Sequence, residues 1–304
     1  MVKLKTWIKA SRPRTVLLSF SGVLLGGFLS LKTGPSTGSG TWLCLLFCAL
    51  TAVLLQVLSN LANDYGDYKK GLDSAKRVGP QREMQSGAIT EKEMHKGIAI
   101  VSALCLISGA LLIFVFAKLS WQELAVFAAL GIAAVLAALF YTLGKHPYGY
   151  RGLGDLFCFL FFGWVAVAGT FYLAANHFDP LVLLPATAMG CLSTAVLNIN
   201  NMRDYGNDKA NGKNSLVVKI GLKKAFVYHI ILIVMPFLCF TLFLWLQHAS
   251  WYAYFFWLLF PFFLMDLLTI RKTLDTGVPD RLLPKQVVQT FVLTLVVIIL
   301  YYAT

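Results

Sequence analysis

Charge is scarce in this chain. Only 13% of its 304 residues are charged, against 58% hydrophobic, and the apolar runs are too long for the core of a water-soluble domain, which excludes that class. There is no G-x-x-x-x-G-K-[ST] stretch to cradle a nucleotide phosphate and no Ser/His/Asp arrangement for nucleophilic hydrolysis. Cysteine offers no framework either. Cys44, Cys48, Cys105, Cys158, Cys191 and Cys239 all lie in apolar runs, and no partner pair or His cluster completes a metal site, so they read as small buried hydrophobes. His95, His146, His177, His229 and His248 are scattered and suggest no ligand set. No signal peptide is expected, because Lys3, Lys5, Lys9, Arg12 and Arg14 lead into the first apolar run without a small-residue cleavage site.

What the chain has in abundance is apolar sequence of membrane length. Nine spans are expected, at about 15–32, 41–62, 97–117, 121–142, 153–175, 181–200, 224–247, 251–270 and 285–303. The fold class is therefore an all-α integral membrane protein. If the spans alternate, every Lys and Arg except Lys32 and Lys118 falls on the side of the N-terminus. The positive-inside rule makes that side the cytoplasm and puts the C-terminus outside. The formal net charge of +12 is first a topology signal. The basic residues are dispersed over loops between spans, which argues against nucleic acid but suits a polyanionic ligand at one face.

Acidic residues are rarer than basic ones, and five of the 14 sit in two similar stretches. The first, NLANDYGDYKKGLD (60–73), closes the second span. Asn60, Asp64 and Asp67 stand at i, i+4 and i+7, one face of a helix, and Asp73 continues the acidic run. Carboxylates at the end of a membrane helix are costly to desolvate unless something offsets their charge. A divalent cation does that, and oxygen ligands suit Mg²⁺. The second stretch, NINNMRDYGNDKANGKNS (198–215), repeats the pattern. Asn200, Asp204, Tyr205 and Gly206 answer Asn60, Asp64, Tyr65 and Gly66, and Asp208 answers Asp67 one place later. Two acidic helix ends built alike suggest an internal duplication whose halves face one cleft. The halves would be about 1–142 and 143–304 of a single transmembrane domain.

Other candidates lie on the same side. Residues 1–14 read as an interfacial helix, and Arg12 could either reach an anion or serve topology. The polar loop 68–96 is long enough to act as a lid; it holds Arg77, Gly79-Pro80 and Arg82, and Arg82 is a candidate anion ligand. The run 141–155 interleaves Tyr141, Tyr148 and Tyr150 with Lys145, Arg151 and four glycines, a combination that lets backbone and cations approach a ligand. Lys209 and Lys213 continue the i+4 ladder of the second motif if its helix persists. Asp266, one turn from Arg271, could pair with it or act on its own. Two acidic clusters ringed by cations above an apolar cavity fit Mg²⁺-bridged diphosphate binding and prenyl transfer, with aromatic faces shielding a developing carbocation.

On these residues the chain resembles the UbiA superfamily of intramembrane prenyltransferases. Asn63-Asp64-x-x-Asp67 and Asp204-x-x-x-Asp208 carry the resemblance. The superfamily's further Asp falls here on Gly71, with the acid at Asp73 instead. That departure, the Gly79-Pro80-x-Arg82 loop, PYGYRGLGD (147–155) and NNMRDYGNDKANGKNSLVV (200–218) resemble the menaquinone branch. The resemblance implies nine helices, two four-helix halves plus one, in a bacterial inner membrane with the active site facing the cytoplasm. It implies that Asn63, Asp64, Asp67, Asp204 and Asp208 hold Mg²⁺ and through it a polyprenyl diphosphate, with the four aspartates central to catalysis. Asn60, Asn200, Tyr141, Lys145, Tyr148, Lys209 and Lys213 would surround the diphosphate. Arg12, Arg82 and Arg151 are candidates for the acceptor's carboxylate. The implied acceptor, 1,4-dihydroxy-2-naphthoate, loses that carboxylate as the chain is attached, giving demethylmenaquinone. A different aromatic acceptor, such as 4-hydroxybenzoate or homogentisate, is the alternative within the class, and a secondary transporter the alternative outside it.

Overall fold

A computed structural model of the chain describes residues 3–33, 39–72 and 79–304. Among these residues there is no strand, and nine helices are long and apolar enough to cross a membrane. They are Pro13–Thr33, Gly40–Lys69, Glu91–Val115, Trp121–Phe140, Gly154–Ala175, Pro180–Arg203, Leu222–Leu246, Trp251–Thr273 and Leu282–Tyr302. The expected nine spans are all present, with two instructive differences at their ends. The second span runs seven residues past its expected end at 62, so its 30 residues are about 45 Å long, well beyond an apolar layer of roughly 30 Å. The first acidic motif thus extends an unbroken helix out of the apolar layer. The sixth span instead ends at Arg203; Asp204 interrupts it at φ −89°, ψ 4°, and a short helix, Tyr205–Ala210, follows.

Local sequence sets the helix starts. Pro13 opens the first span, where its missing N–H costs nothing. Thr90 with Glu93 and Ser120 with Glu123 form capping boxes that begin the third and fourth spans. The N-terminal helix Leu4–Ala10 lies alongside, with Leu4 and Ile8 exposed and Ala10 buried, as an interfacial helix requires.

The sixth span is the most buried of the nine. Its Ala186, Ala188, Ala195 and Gly190 are small, which lets neighbouring backbones come close. A Cβ on Gly163 of the fifth span would stand 2.6 Å from the Ala186 carbonyl oxygen and 2.7 Å from Gly190 Cα. Phe237 of the seventh span packs against Phe256, Phe260 and Phe263 of the eighth. These contacts anchor the second half of the bundle around the helix that delivers the second motif.

Asp266 does not use Arg271. Its Oδ1 lies 2.5 Å from Lys285 Nζ at the start of the ninth span, so a different helix supplies the counter-charge.

Candidate functional site

The continuous helix of the second span places Asn60, Asp64 and Asp67 on one buried face, as their spacing requires. Asn60 is consumed locally. Its amide donates to the Ser11 carbonyl at 2.8 Å and to Thr15 Oγ1 at 3.0 Å, and Gln56 donates to its oxygen, so it fastens the turn that carries Arg12. Arg12, at φ 51°, pairs with Asp64. Arg82 reaches back from the long loop, with Nη1 2.8 Å from Asp67 Oδ2 and Nε 3.3 Å from Asp64 Oδ1. Tyr150 donates its hydroxyl to Asp67 Oδ1 at 2.8 Å. Asp73 and Arg77 lie outside the described residues.

The break at Asp204 explains why the second motif spaces its acids by four rather than three. Restarting the helix there brings Asp208, not residue 207, back toward the first motif. Asn207 makes a separate link, donating to the Leu72 carbonyl at 3.1 Å. Lys213 then joins the two motifs, with Nζ 3.7 Å from Asp208 Oδ1 and 4.0 Å from Asp67 Oδ2. It does so by a turn and not by the expected ladder. The helix stops at Ala210, and Gly212 at φ 70° folds the chain back. Lys209, on the helix itself, is exposed beside the Tyr205 ring.

Beside these residues opens a cavity of about 1040 Å³, at the upper end of the size of small-molecule sites. Arg12, Asn63, Asp64, Arg82, Asn200, Arg203, Lys213 and Asp280 line its mouth. Tyr141, Tyr148, Phe157 and Phe161 line one wall, with Tyr148 and Phe157 ring centroids 4.3 Å apart. Leu106, Phe114 and Ile132 of the third and fourth spans line the cavity and are also exposed on the outside of the bundle, so the cavity reaches the lipid-facing surface. Three acids of the motifs do not face the cavity directly. Asp67 stands behind Arg82 and Lys213, Asp204 behind Arg203, and Asp208 behind Lys213.

The turn Tyr148–Arg151, closed by Gly152 at φ 75°, sends Tyr150 toward Asp67. Tyr148 packs inward and donates to the Ala137 carbonyl at 2.8 Å. Lys145 and Arg151 end up exposed and outside the cavity lining, and the Arg151 carbonyl accepts a hydrogen bond from Lys219. The structure therefore brings together Arg12, Asn60, Asn63, Asp64, Asp67, Arg82, Tyr141, Tyr148, Asn200, Asp204, Asp208 and Lys213. It leaves Lys145, Arg151 and Lys209 outside.

It also adds Tyr150, Arg203 and Asp280. Arg203 was readable as the neighbour of Asp204, whereas nothing in the sequence ties Asp280, in the loop before the ninth span, to this site.

Electrostatics follow from burial. Burial pushes the Asp208 carboxyl up to about 7, Lys213 opposes that, and Asp204 and Asp67 reinforce it. Burial and the Asp155 charge raise the Tyr141 phenol, and burial and Asp67 raise that of Tyr150, so both remain donors. Among the described residues no three His, Cys, Asp or Glu side chains already converge as a metal site, because Arg82 and Lys213 stand between the carboxylates. Yet Asn63 Oδ1 and Asp208 Oδ2 are buried without a hydrogen-bond partner among the described residues. Two orphaned hard oxygens beside three further carboxylates fit a divalent cation such as Mg²⁺.

The UbiA prenyltransferase family profile matches residues 19–283. A 1,4-dihydroxy-2-naphthoate octaprenyltransferase of Haemophilus influenzae is 44% identical over 259 residues, covering 85% of this chain and 83% of its own. The enzyme of that name from Escherichia coli is 44% identical over 248 residues, covering 81% and 79%. A solved UbiA homologue from Archaeoglobus fulgidus, bound to GPP and Mg²⁺, superimposes with a TM-score of 0.64 at 15% identity, covering 98% of each chain; this likeness concerns the fold. With the profile spanning most of the nine-helix bundle and both acidic motifs inside it, the chain belongs to the UbiA prenyltransferase family.

Proposed function

We propose that the protein transfers a polyprenyl chain from an allylic diphosphate to 1,4-dihydroxy-2-naphthoate, giving the quinol form of demethylmenaquinone, with Mg²⁺ as cofactor. The observation that carries this reading is the junction of the two acidic motifs, through Lys213, at the mouth of an apolar cavity that reaches the lipid-facing surface. The name shared by the bacterial relatives supports the choice of acceptor.

Asn63, Asp64, Asp67, Asp204 and Asp208 would hold the metal, which when bound neutralises the departing diphosphate. Arg12, Arg82 and Lys213 bind the diphosphate oxygens and orient the ester toward the cavity. The Tyr141, Tyr148, Phe157 and Phe161 faces shield the allylic cation as the C–O bond breaks, and the apolar walls keep water from trapping it. A C–C bond forms at the ring carbon that bears the carboxylate, and CO₂ leaves from that carbon as the ring regains aromaticity. In this reading the mouth faces the cytoplasm from a bacterial inner membrane, since the basic loops share its side. The halves 1–142 and 143–304 are then repeats within one domain.

The test is a membrane assay with a prenyl diphosphate and dihydroxynaphthoate, with and without Mg²⁺, on wild type and Asp204→Asn. Mg²⁺-dependent prenylated quinol, read as the quinone after oxidation by air, and released CO₂, both lost in the variant, are expected. Product from 4-hydroxybenzoate instead would move the protein to another acceptor, and no product from any aromatic acceptor would refute prenyl transfer.

A further inference from the structure

Arg203, at the cavity mouth, is held by three side chains. Its Nε donates to Asp204 Oδ1 at 2.8 Å and its Nη2 to Asp204 Oδ2 at 2.9 Å, a bidentate fork. Nη2 also reaches Asn200 Oδ1 at 2.8 Å, and Nη1 reaches Asp280 Oδ1 at 2.5 Å. The side chain is only 4% exposed and lines the cavity, as do Asn200 and Asp280. Two carboxylates on one guanidinium are more than its charge needs, and they come from different segments. Asp204 belongs to the second motif, whereas Asp280 lies in the loop before the ninth span and is 43% exposed.

We propose that Arg203 is a diphosphate ligand held in reserve. The Asp204 carboxylate that fills its fork is handed to the metal, the two emptied N–H groups take diphosphate oxygens, and Asp280 keeps hold of the third nitrogen. This rests on the diphosphate reading above and adds two residues to it. The chemistry favours the exchange. Arg203 sits between Asp204 and the cavity, so the donors that Asp204 vacates remain beside the arriving ligand. A guanidinium fork matches phosphate and carboxylate oxygens equally well, so nothing is left unpaired when one replaces the other. Asp280 has the opposite effect in each state. It competes with an anion for the guanidinium when no metal is present, and it anchors the side chain once Asp204 has left. Metal and diphosphate therefore help each other bind, because each removes a partner the other must displace.

The experiment uses the full-length protein in nanodiscs, inorganic pyrophosphate as probe, calorimetry with and without Mg²⁺, and Mn²⁺ binding followed by electron paramagnetic resonance. Arg203→Lys keeps the charge and loses the fork. It is expected to weaken pyrophosphate binding in Mg²⁺ about tenfold while Mn²⁺ binding without pyrophosphate persists. Asp280→Asn removes the competing charge from a half-exposed position and is expected to strengthen metal-free pyrophosphate binding several-fold. Wild-type pyrophosphate affinity in Arg203→Lys overturns the assignment, as does loss of Mn²⁺ binding without pyrophosphate, which would make Arg203 a mere support for Asp204. If Arg203→Lys does not fold, Asp280→Asn decides alone, and an unchanged metal-free affinity overturns the proposal. A wild-type protein that binds no pyrophosphate at any Mg²⁺ concentration refutes the diphosphate reading itself.

Discussion

Tyr150 and Asp67 are 83 positions apart in the chain, and the tyrosine hydroxyl donates to the carboxylate at 2.8 Å. The bond ties the loop before the fifth span to the helix end of the second. Tyr150→Phe removes one donor and leaves Asp67 to Arg82 and Lys213. The expected cost in stability is about 1 kcal/mol. The activity effect should be larger, about a tenfold fall in kcat/KM for the prenyl diphosphate, because Asp67 loses its fixed orientation. Steady-state kinetics and thermal unfolding of the same preparation check both parts.

Neither member of the ion pair of Asp266 with Lys285 lines the cavity. Asp266 is buried and Lys285 is 45% exposed. Lys285→Met strands the carboxylate without its cation and is expected to destabilise the bundle by about 2 kcal/mol. The KM for either substrate should stay within twofold or so of wild type, since neither side chain lines the cavity and the loss of the pair mainly costs stability. Thermal unfolding and kinetics read the two effects separately.

The first motif was legible because it sits on one uninterrupted helix, where spacing converts directly into a face. The second was legible in composition but not in shape. The interruption at Asp204 and the turn at Gly212 bring Lys213 inward and leave Lys209 in solvent, and neither follows from counting in fours. In the run 141–155 the sequence marked the right segment, yet Tyr150 enters and Lys145 and Arg151 do not. A single turn of 3₁₀ helix decides which side chains point inward. Asp266 found a partner on another span, and Asp280 joined the site from a distant loop. Both contacts depend on how helices pack around the sixth span, which hydropathy does not encode.

Gly163 sits where the fifth and sixth spans nearly touch. An added methyl meets the Ala186 carbonyl oxygen at 2.6 Å, and backbone cannot yield as a flexible side chain would. Gly163→Ala is expected to cost about 1–3 kcal/mol. Because the same span carries Phe157 and Phe161, turnover should also fall at temperatures where the protein remains folded, a comparison that an activity–temperature series makes directly.

Gly109 lines the cavity, and nothing lies within 4 Å of a Cβ built on it. Gly109→Leu adds bulk to open space rather than to the core. It is expected to reduce turnover of long prenyl diphosphates several-fold while sparing geranyl diphosphate. Competition between a short and a long donor in one reaction gives the ratio without needing absolute rates.

Chelation should act on the reaction before it acts on the fold. Arg12, Arg82, Arg203 and Lys213 partner the motif carboxylates, so the charge of those acids has counter-ions within the protein itself. EDTA is therefore expected to abolish product while shifting the unfolding temperature little, and added Mg²⁺ should restore activity. A large drop in unfolding temperature with EDTA would instead make the metal structural.

The outer edge of the cavity, where Leu106, Phe114 and Ile132 belong at once to its lining and to the surface of the bundle, changes what a concentration means for this protein. In the proposed reaction the tail of the donor is dissolved in the bilayer, so encounter is a two-dimensional process governed by mole fraction in the lipid. Adding detergent at fixed total substrate dilutes that surface without changing the volume of the sample. Apparent KM values should then rise in proportion to the micellar phase for the prenyl donor and hardly at all for the water-borne aromatic acid, so the two substrates can be told apart by dilution alone.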